Sequence, residues 1–99
     1  MKKVIRDGKV AVIFSFNFGA GWYSWHGIEE LLFDPNVVKM IEDGESPHKY
    51  CEELYKGIYI SSELNLAIAW IPEGSEFYID EYDGREEIIF KESQSWLKA

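Results

Sequence analysis

His26, His48 and Cys51 are the side chains in this 99-residue chain best suited to act as nucleophile, proton carrier or soft metal ligand. His48 and Cys51 lie three apart, a spacing that puts them on one face of a helix. Two such ligands do not close a structural zinc site, which takes four. A Cys–His nucleophile pair needs an exposed thiol of lowered pKa, whereas Cys51 reads as a small apolar residue of the core. His26 stands near Glu29 and Glu30, so a small hydrolase or metal-dependent enzyme centred on His26 and nearby carboxylates is the alternative to a binding role. The reading adopted is non-catalytic, with neither metal nor cofactor.

His26 also closes the most unusual stretch of the chain, "FGAGWYSWHG" at residues 18–27. A Gly-x-Gly after a strand has the outline of a dinucleotide fingerprint, but that pattern needs a third glycine, an immediate helix and a parallel βαβ frame. Here Trp22, Tyr23 and Trp25 stand where backbone would approach a pyrophosphate. A P-loop is excluded because Gly-Lys-Ser/Thr occurs nowhere. The residues suit an aromatic wall instead: Trp22, Tyr23 and Trp25 offer flat faces with N–H or O–H groups, and Asn17 and His26 add polar ones. The competing use of Trp22 and Trp25 is as a plug in the core. Successive side chains of a strand alternate in direction, and those of a helix turn by about 100°. At least one of the three rings is therefore expected to face outward.

A second candidate surface is "EFYIDEYDGREE". Tyr78, Asp80 and Tyr82 share one strand face, fit for protein recognition because tyrosine combines area with a polar tip. Asp80 and Glu81 point oppositely and are no catalytic pair. Glu73, Glu76 and Asp80 would hold a cation only if a loop folded them together.

The elements that must position these residues are legible. Asp7-Gly8 and Asp83-Gly84 each separate two β-prone runs, a strong hairpin signal. Lys9 to about Phe16 alternates Val10, Val12, Phe14 and Phe16 against Ala11, Ile13 and Ser15, which predicts an inner strand with both faces covered. Ile28–Phe33 can form a short helix. Asp34-Pro35 and Ser46-Pro47 read as cap-then-proline helix starts, with Gly44 and Gly57 as stops. Strands are predicted over "IYIS", "NLAIAWI", "EFYIDEY" and "REEIIFKE", and Trp96 and Leu97 as a latch over the core. The fold class is α+β in one domain spanning 1–99: a mostly antiparallel sheet, made of an N-terminal hairpin and a C-terminal meander, with two short helices inserted between residues 28 and 56. The expected core is Leu66, Ile68, Trp70, Val12, Phe14, Ile41, Leu54, Phe77 and Ile79.

Hydrophobic residues make up 46% of the chain and aromatic ones 16%, too apolar for disorder. The single cysteine rules out an intrachain disulfide and points to a reducing, cytoplasmic setting. The start, "MKKVIRDGKVAVIFSF", reads as strand rather than signal peptide, and no run reaches the roughly 18–20 apolar residues that span a bilayer. The net charge is −8, and Glu73–Glu87 carries seven acids against Arg85. That balance argues against direct binding to a nucleic-acid backbone.

Taken in order, "FGAGWYSW", "LFDPNVV" and "WIPEGSEFYIDEYDG" resemble a group of small uncharacterised proteins of bacteria and their phages or prophages, over residues 10–97. The resemblance implies an accessory protein that works by binding: blocking a host enzyme, imitating DNA or sequestering a signal nucleotide, with an anti-defence role among the outcomes. It carries over no catalytic residue. The expected partner is a host protein or a small ligand, with a homodimer left open and no membrane.

Overall fold

The computed structural model describes residues 2–58, 60 and 64–91. Two antiparallel sheets and four short helices make up an α+β fold, with strands β1 (Ile5–Arg6), β2 (Lys9–Ser15), β3 (Leu66–Pro72), β4 (Phe77–Tyr82) and β5 (Arg85–Phe90). The helices are α1 (Tyr23–His26), α2 (Glu29–Phe33), α3 (Pro35–Glu42) and α4 (His48–Leu54). Strands β1, β2 and β3 form one sheet in that order, and β4 and β5 form the other.

Both Asp-Gly hairpins form. Asp7 and Gly8 have φ of 52° and 75°, and Asp83 and Gly84 have 48° and 87°, so all four sit at the positive φ that a two-residue type I′ turn requires. The C-terminal strands do not make one meander. Strand β3 runs back along β2 over its whole length, from Lys9↔Pro72 to Ser15↔Leu66, and β4–β5 stands apart as its own hairpin. The reason lies in β2, whose two faces are both apolar and need covering on both sides. Ala11 and Ile13 pack with Trp22, Leu31, Val37, Val38 and Cys51. Val10 and Val12 pack with Leu32, Phe33 and Ile71, and Phe77, Ile79, Ile88 and Phe90 of the β4–β5 hairpin close that second cluster.

The cap-then-proline signals hold for α3, where the Asp34 carboxylate accepts from the N–H of Asn36 at 2.8 Å and of Val37 at 3.3 Å. At α4 Pro47 itself is the cap residue. Tyr50 donates to Asp34 at 2.9 Å and Tyr55 to Glu30 at 2.8 Å, tying α4 to the helices before it. Helix α2 is the short helix expected over Ile28–Phe33, and α1 is a further single turn before it.

Most of the expected core is buried or half-buried, but Leu54 is exposed. The inward face of α4 centres on Cys51, which is fully buried. Leu54, three residues on, points roughly 60° to one side at the helix end. Ile60 is buried in the first cluster and Ile58 packs against it, without strand pairing at either. The rest of the "IYIS" strand (Tyr59 and Ser61) and the Trp96–Leu97 latch lie outside the described residues.

Candidate functional site

The aromatic stretch leaves β2 at Ser15, reverses at Gly19 (φ 98°) and enters α1 at Tyr23. What holds this segment is Glu86, the second residue of β5. Glu86 is almost fully buried. Its Oε1 accepts the Ser15 N–H at 2.8 Å. Its Oε2 accepts the Trp22 N–H at 3.2 Å, the Ser24 N–H at 2.8 Å and the Ser24 hydroxyl at 2.6 Å. A buried carboxylate is costly unless its lone pairs are taken up; here four donors converge on it. The same side chain closes the edge of β2 where the two-residue β1 has ended.

The tip of the β4–β5 hairpin completes the grip. Ser15 donates its hydroxyl to the Gly84 carbonyl at 2.5 Å, and the Gly19 N–H donates to the Asp83 carbonyl at 2.5 Å. Gly84 is needed twice over: a Cβ there would stand 2.5 Å from the Ala20 backbone nitrogen, besides straining a φ of +87°. Glu81, directly opposite Glu86 in the ladder, accepts from the Trp25 indole N–H at 2.7 Å and from the Gly84 N–H at 3.2 Å. Like charges facing each other across a strand pair repel, and the donors gathered around each carboxylate offset that repulsion. Gly21 leaves room for the same indole, since a Cβ on it would fall 2.5 Å from the Trp25 ring.

The consequence is that the two surfaces expected separately from sequence, the aromatic loop and the acidic strand, meet at one end of the molecule. Trp25 is 46% exposed beside Glu81. Phe18, 62% exposed, sets its ring edge-to-face with that of Tyr82, 77% exposed, at 6.3 Å between centroids. Tyr78 and Asp80 continue the outward face of β4, and Arg85 beside them is paired with Glu87 at 2.6 Å. Asn17 is exposed next to Phe18.

The other candidates are placed differently. Trp22 is wholly buried and donates its indole N–H to the Leu31 carbonyl at 3.3 Å; it is core, out of a ligand's reach. Tyr23 is half-buried between the two clusters. His26 packs edge-on against Trp22, 4.6 Å between ring centres. Its Nδ1 accepts the Ile28 N–H at 2.8 Å, so in the neutral ring Nε2 carries the hydrogen, and Nε2 is buried with no partner among the described residues. Burial pushes its pKa down to about 4, against a smaller upward pull from Glu86. Among the described residues, a cavity of about 520 Å³ beside it is lined by Ser24, Trp25, His26 and Ile58. Among the described residues no group of three His, Cys, Asp or Glu side chains could hold a metal ion. His48 reaches Glu52 at 3.3 Å rather than Cys51. The buried Cys51 thiol is pushed up to about 12, mainly by burial, far from a thiolate nucleophile.

Sequence reasoning gives no role to Glu86 or Phe18 and weighs Glu81 only to reject it as a catalytic partner of Asp80. The signal for the two acids is their register. With Asp83-Gly84 as the turn, Glu81 and Glu86 fall on the same face as Phe77, Ile79, Ile88 and Phe90, where an acid is out of place unless it is bound. Among the described residues no helix is long and apolar enough to cross a membrane. No protein-family model matches the chain, and neither the curated proteins nor the solved structures contain a significant match to it.

Proposed function

We propose that this protein is a non-catalytic binding protein, a phage or prophage accessory protein acting in the host cytoplasm, and that it engages a host protein through the aromatic end formed by Phe18, Trp25, Tyr78 and Tyr82. The observation that carries this reading is that three of these rings, Phe18, Trp25 and Tyr82, stay in solvent on segments fixed to one another. Leaving a large apolar side chain exposed forgoes about 1.5–3 kcal/mol of burial per residue. Rigid aromatic groups on a fixed scaffold are the usual anchors of a protein interface. Asp80, Asp83 and Glu87 surround them, so the complementary surface is one that carries Arg or Lys, able to stack on the rings and to pair with the acids. An acidic face of this kind fits a protein that occupies the basic surface of a host enzyme, in line with an anti-defence role.

The test is photo-cross-linking in bacterial cells, with a photoreactive residue placed at position 82 and, as control, at Lys39 on the exposed side of α3. One host protein cross-linked at position 82 and not at position 39 is expected. Equal labelling from both positions would contradict the reading.

A further inference from the structure

Beyond the aromatic end, the β4–β5 hairpin has an edge that is open to another strand. The Lys91 N–H donates to the Glu76 carbonyl at 3.0 Å, and the register then runs through Tyr78↔Ile89, Asp80↔Glu87 and Tyr82↔Arg85. Hydrogen-bonded and non-hydrogen-bonded pairs alternate along an antiparallel ladder. Tyr78, Asp80 and Tyr82 therefore bond to β5, and the backbone groups of Phe77, Ile79 and Glu81 point away from it. At the hairpin tip this outer edge is closed, because the Glu81 N–H donates to Asp80 Oδ1 at 3.1 Å. Among the described residues, the N–H groups of Phe77 and Ile79 have no acceptor. Proteins ordinarily blunt such an edge with Pro, charged side chains or a bulge; β4, "FYIDEY", has neither Pro nor bulge, and its charges, Asp80 and Glu81, lie toward the tip, past Phe77 and Ile79.

A groove of about 680 Å³ runs beside this edge. Its apolar walls are Tyr23, Leu32 and Phe33 on one side and Phe77 and Ile79 on the other. Lys3 lies within it, its ammonium 4.4 Å from the centre of the Phe33 ring. Glu29 stands at its rim and Asp80 further along β4, while Glu76 at the rim is already paired with Lys91 at 2.7 Å.

We infer that β4 accepts an extended segment of a partner protein as an added strand, and that this segment alternates apolar residues with Lys or Arg. The open amides supply the hydrogen bonds, the groove takes every second side chain, and the acidic rim takes the cations between them. Charge selects against a second copy of the chain, which would bring another −8 to the same edge. The site shares Tyr78 with the ring surface but lies apart from Phe18, Trp25 and Tyr82 at the hairpin tip, and the two can succeed or fail separately.

Amide hydrogen exchange on the full chain tests this directly. In the free protein the Phe77 and Ile79 amides should exchange at least about tenfold faster than those of Tyr78 and Asp80 in the same strand. A synthetic peptide alternating Lys and Val, added in excess, should slow Phe77 and Ile79 by about tenfold or more, and a Glu–Val peptide should not. Ile79→Pro should abolish the effect, with the Tyr78 and Asp80 amides reporting that the ladder is intact. A Tyr82→Ser chain should still respond, which separates this edge from the aromatic end. Protection of Phe77 and Ile79 in the free protein would overturn the inference, since the edge would then be already covered. So would equal slowing by the two peptides, or no slowing by either.

Discussion

Replacing Glu86 should unfold much of what the protein presents to a partner. In Glu86→Ala the N–H groups of Ser15, Trp22 and Ser24 lose a common acceptor. A buried donor left unsatisfied costs about 1–3 kcal/mol, so three would cost about 3–9 kcal/mol if the site stayed dry. Water entering the vacated space recovers part of that, and about 4 kcal/mol is expected. Glu86→Gln is the sharper probe because it keeps the shape. Its oxygen can take the place of Oε2, where three donors meet, but its NH₂ then faces the Ser15 N–H, donor against donor. Loss of charge assistance and one stranded donor give about 3 kcal/mol. Domains of this size have about 5–15 kcal/mol in total. With a urea slope of about 1.5 kcal/mol/M, the midpoint should fall by about 2 M for Glu86→Gln and somewhat more for Glu86→Ala. Amide exchange at Trp22 and Ser24 should accelerate in both. If both variants melt within about 0.5 kcal/mol of the parent, Glu86 does not hold the loop.

Two other perturbations probe the same assembly. Gly84→Ala should cost about 2 kcal/mol or more in urea unfolding, because the new methyl meets the Ala20 backbone at 2.5 Å and the residue keeps a φ of +87°; a neutral effect would mean that loop and hairpin tip are not in contact. His26 should make stability depend on pH. Its folded pKa of about 4 lies below the ordinary 6.5, so the unfolded chain takes up the proton first, and stability is full above pH 6.5 and falls as pH drops toward 4. The shift corresponds to about 3 kcal/mol unscreened and, with the ring partly solvated, to about 1–2 kcal/mol. His26→Gln should flatten the slope between pH 6.5 and 5 in urea titrations, and an unchanged slope would show that His26 is not its source.

How legible the fold was depended on how local each signal is. The two Asp-Gly turns and the Asp34-Pro35 start are fixed by a few adjacent residues, and they form as read. The apolar character of both faces of β2 was also plain, and it determines the three-stranded sheet. That the last hairpin would separate from β3 was not legible, because strand partners are chosen by packing between residues far apart in sequence. The candidate site divides in the same way. Tyr78 and Tyr82 were identifiable as one strand face from alternation, and spacing required one ring of Trp22, Tyr23 and Trp25 to face outward without saying that it is Trp25. Their meeting depends on Glu86, which bonds to residues more than sixty positions earlier. In a stretch with seven acids, one more glutamate looks like surface charge, and only the register from Asp83-Gly84 places it inward.

If the exposed rings form a binding surface, removing one of them weakens partner binding without unfolding the chain. The host protein cross-linked at position 82 would be purified and titrated calorimetrically against the parent chain and against Tyr82→Ala. Tyr82 is 77% exposed and makes its ring contact with Phe18, itself mostly in solvent, so its removal should leave folding stability within about 0.5 kcal/mol. Binding should weaken by about 2 kcal/mol, roughly thirtyfold in Kd. Equal affinity of the two chains, at equal stability, would contradict the claim.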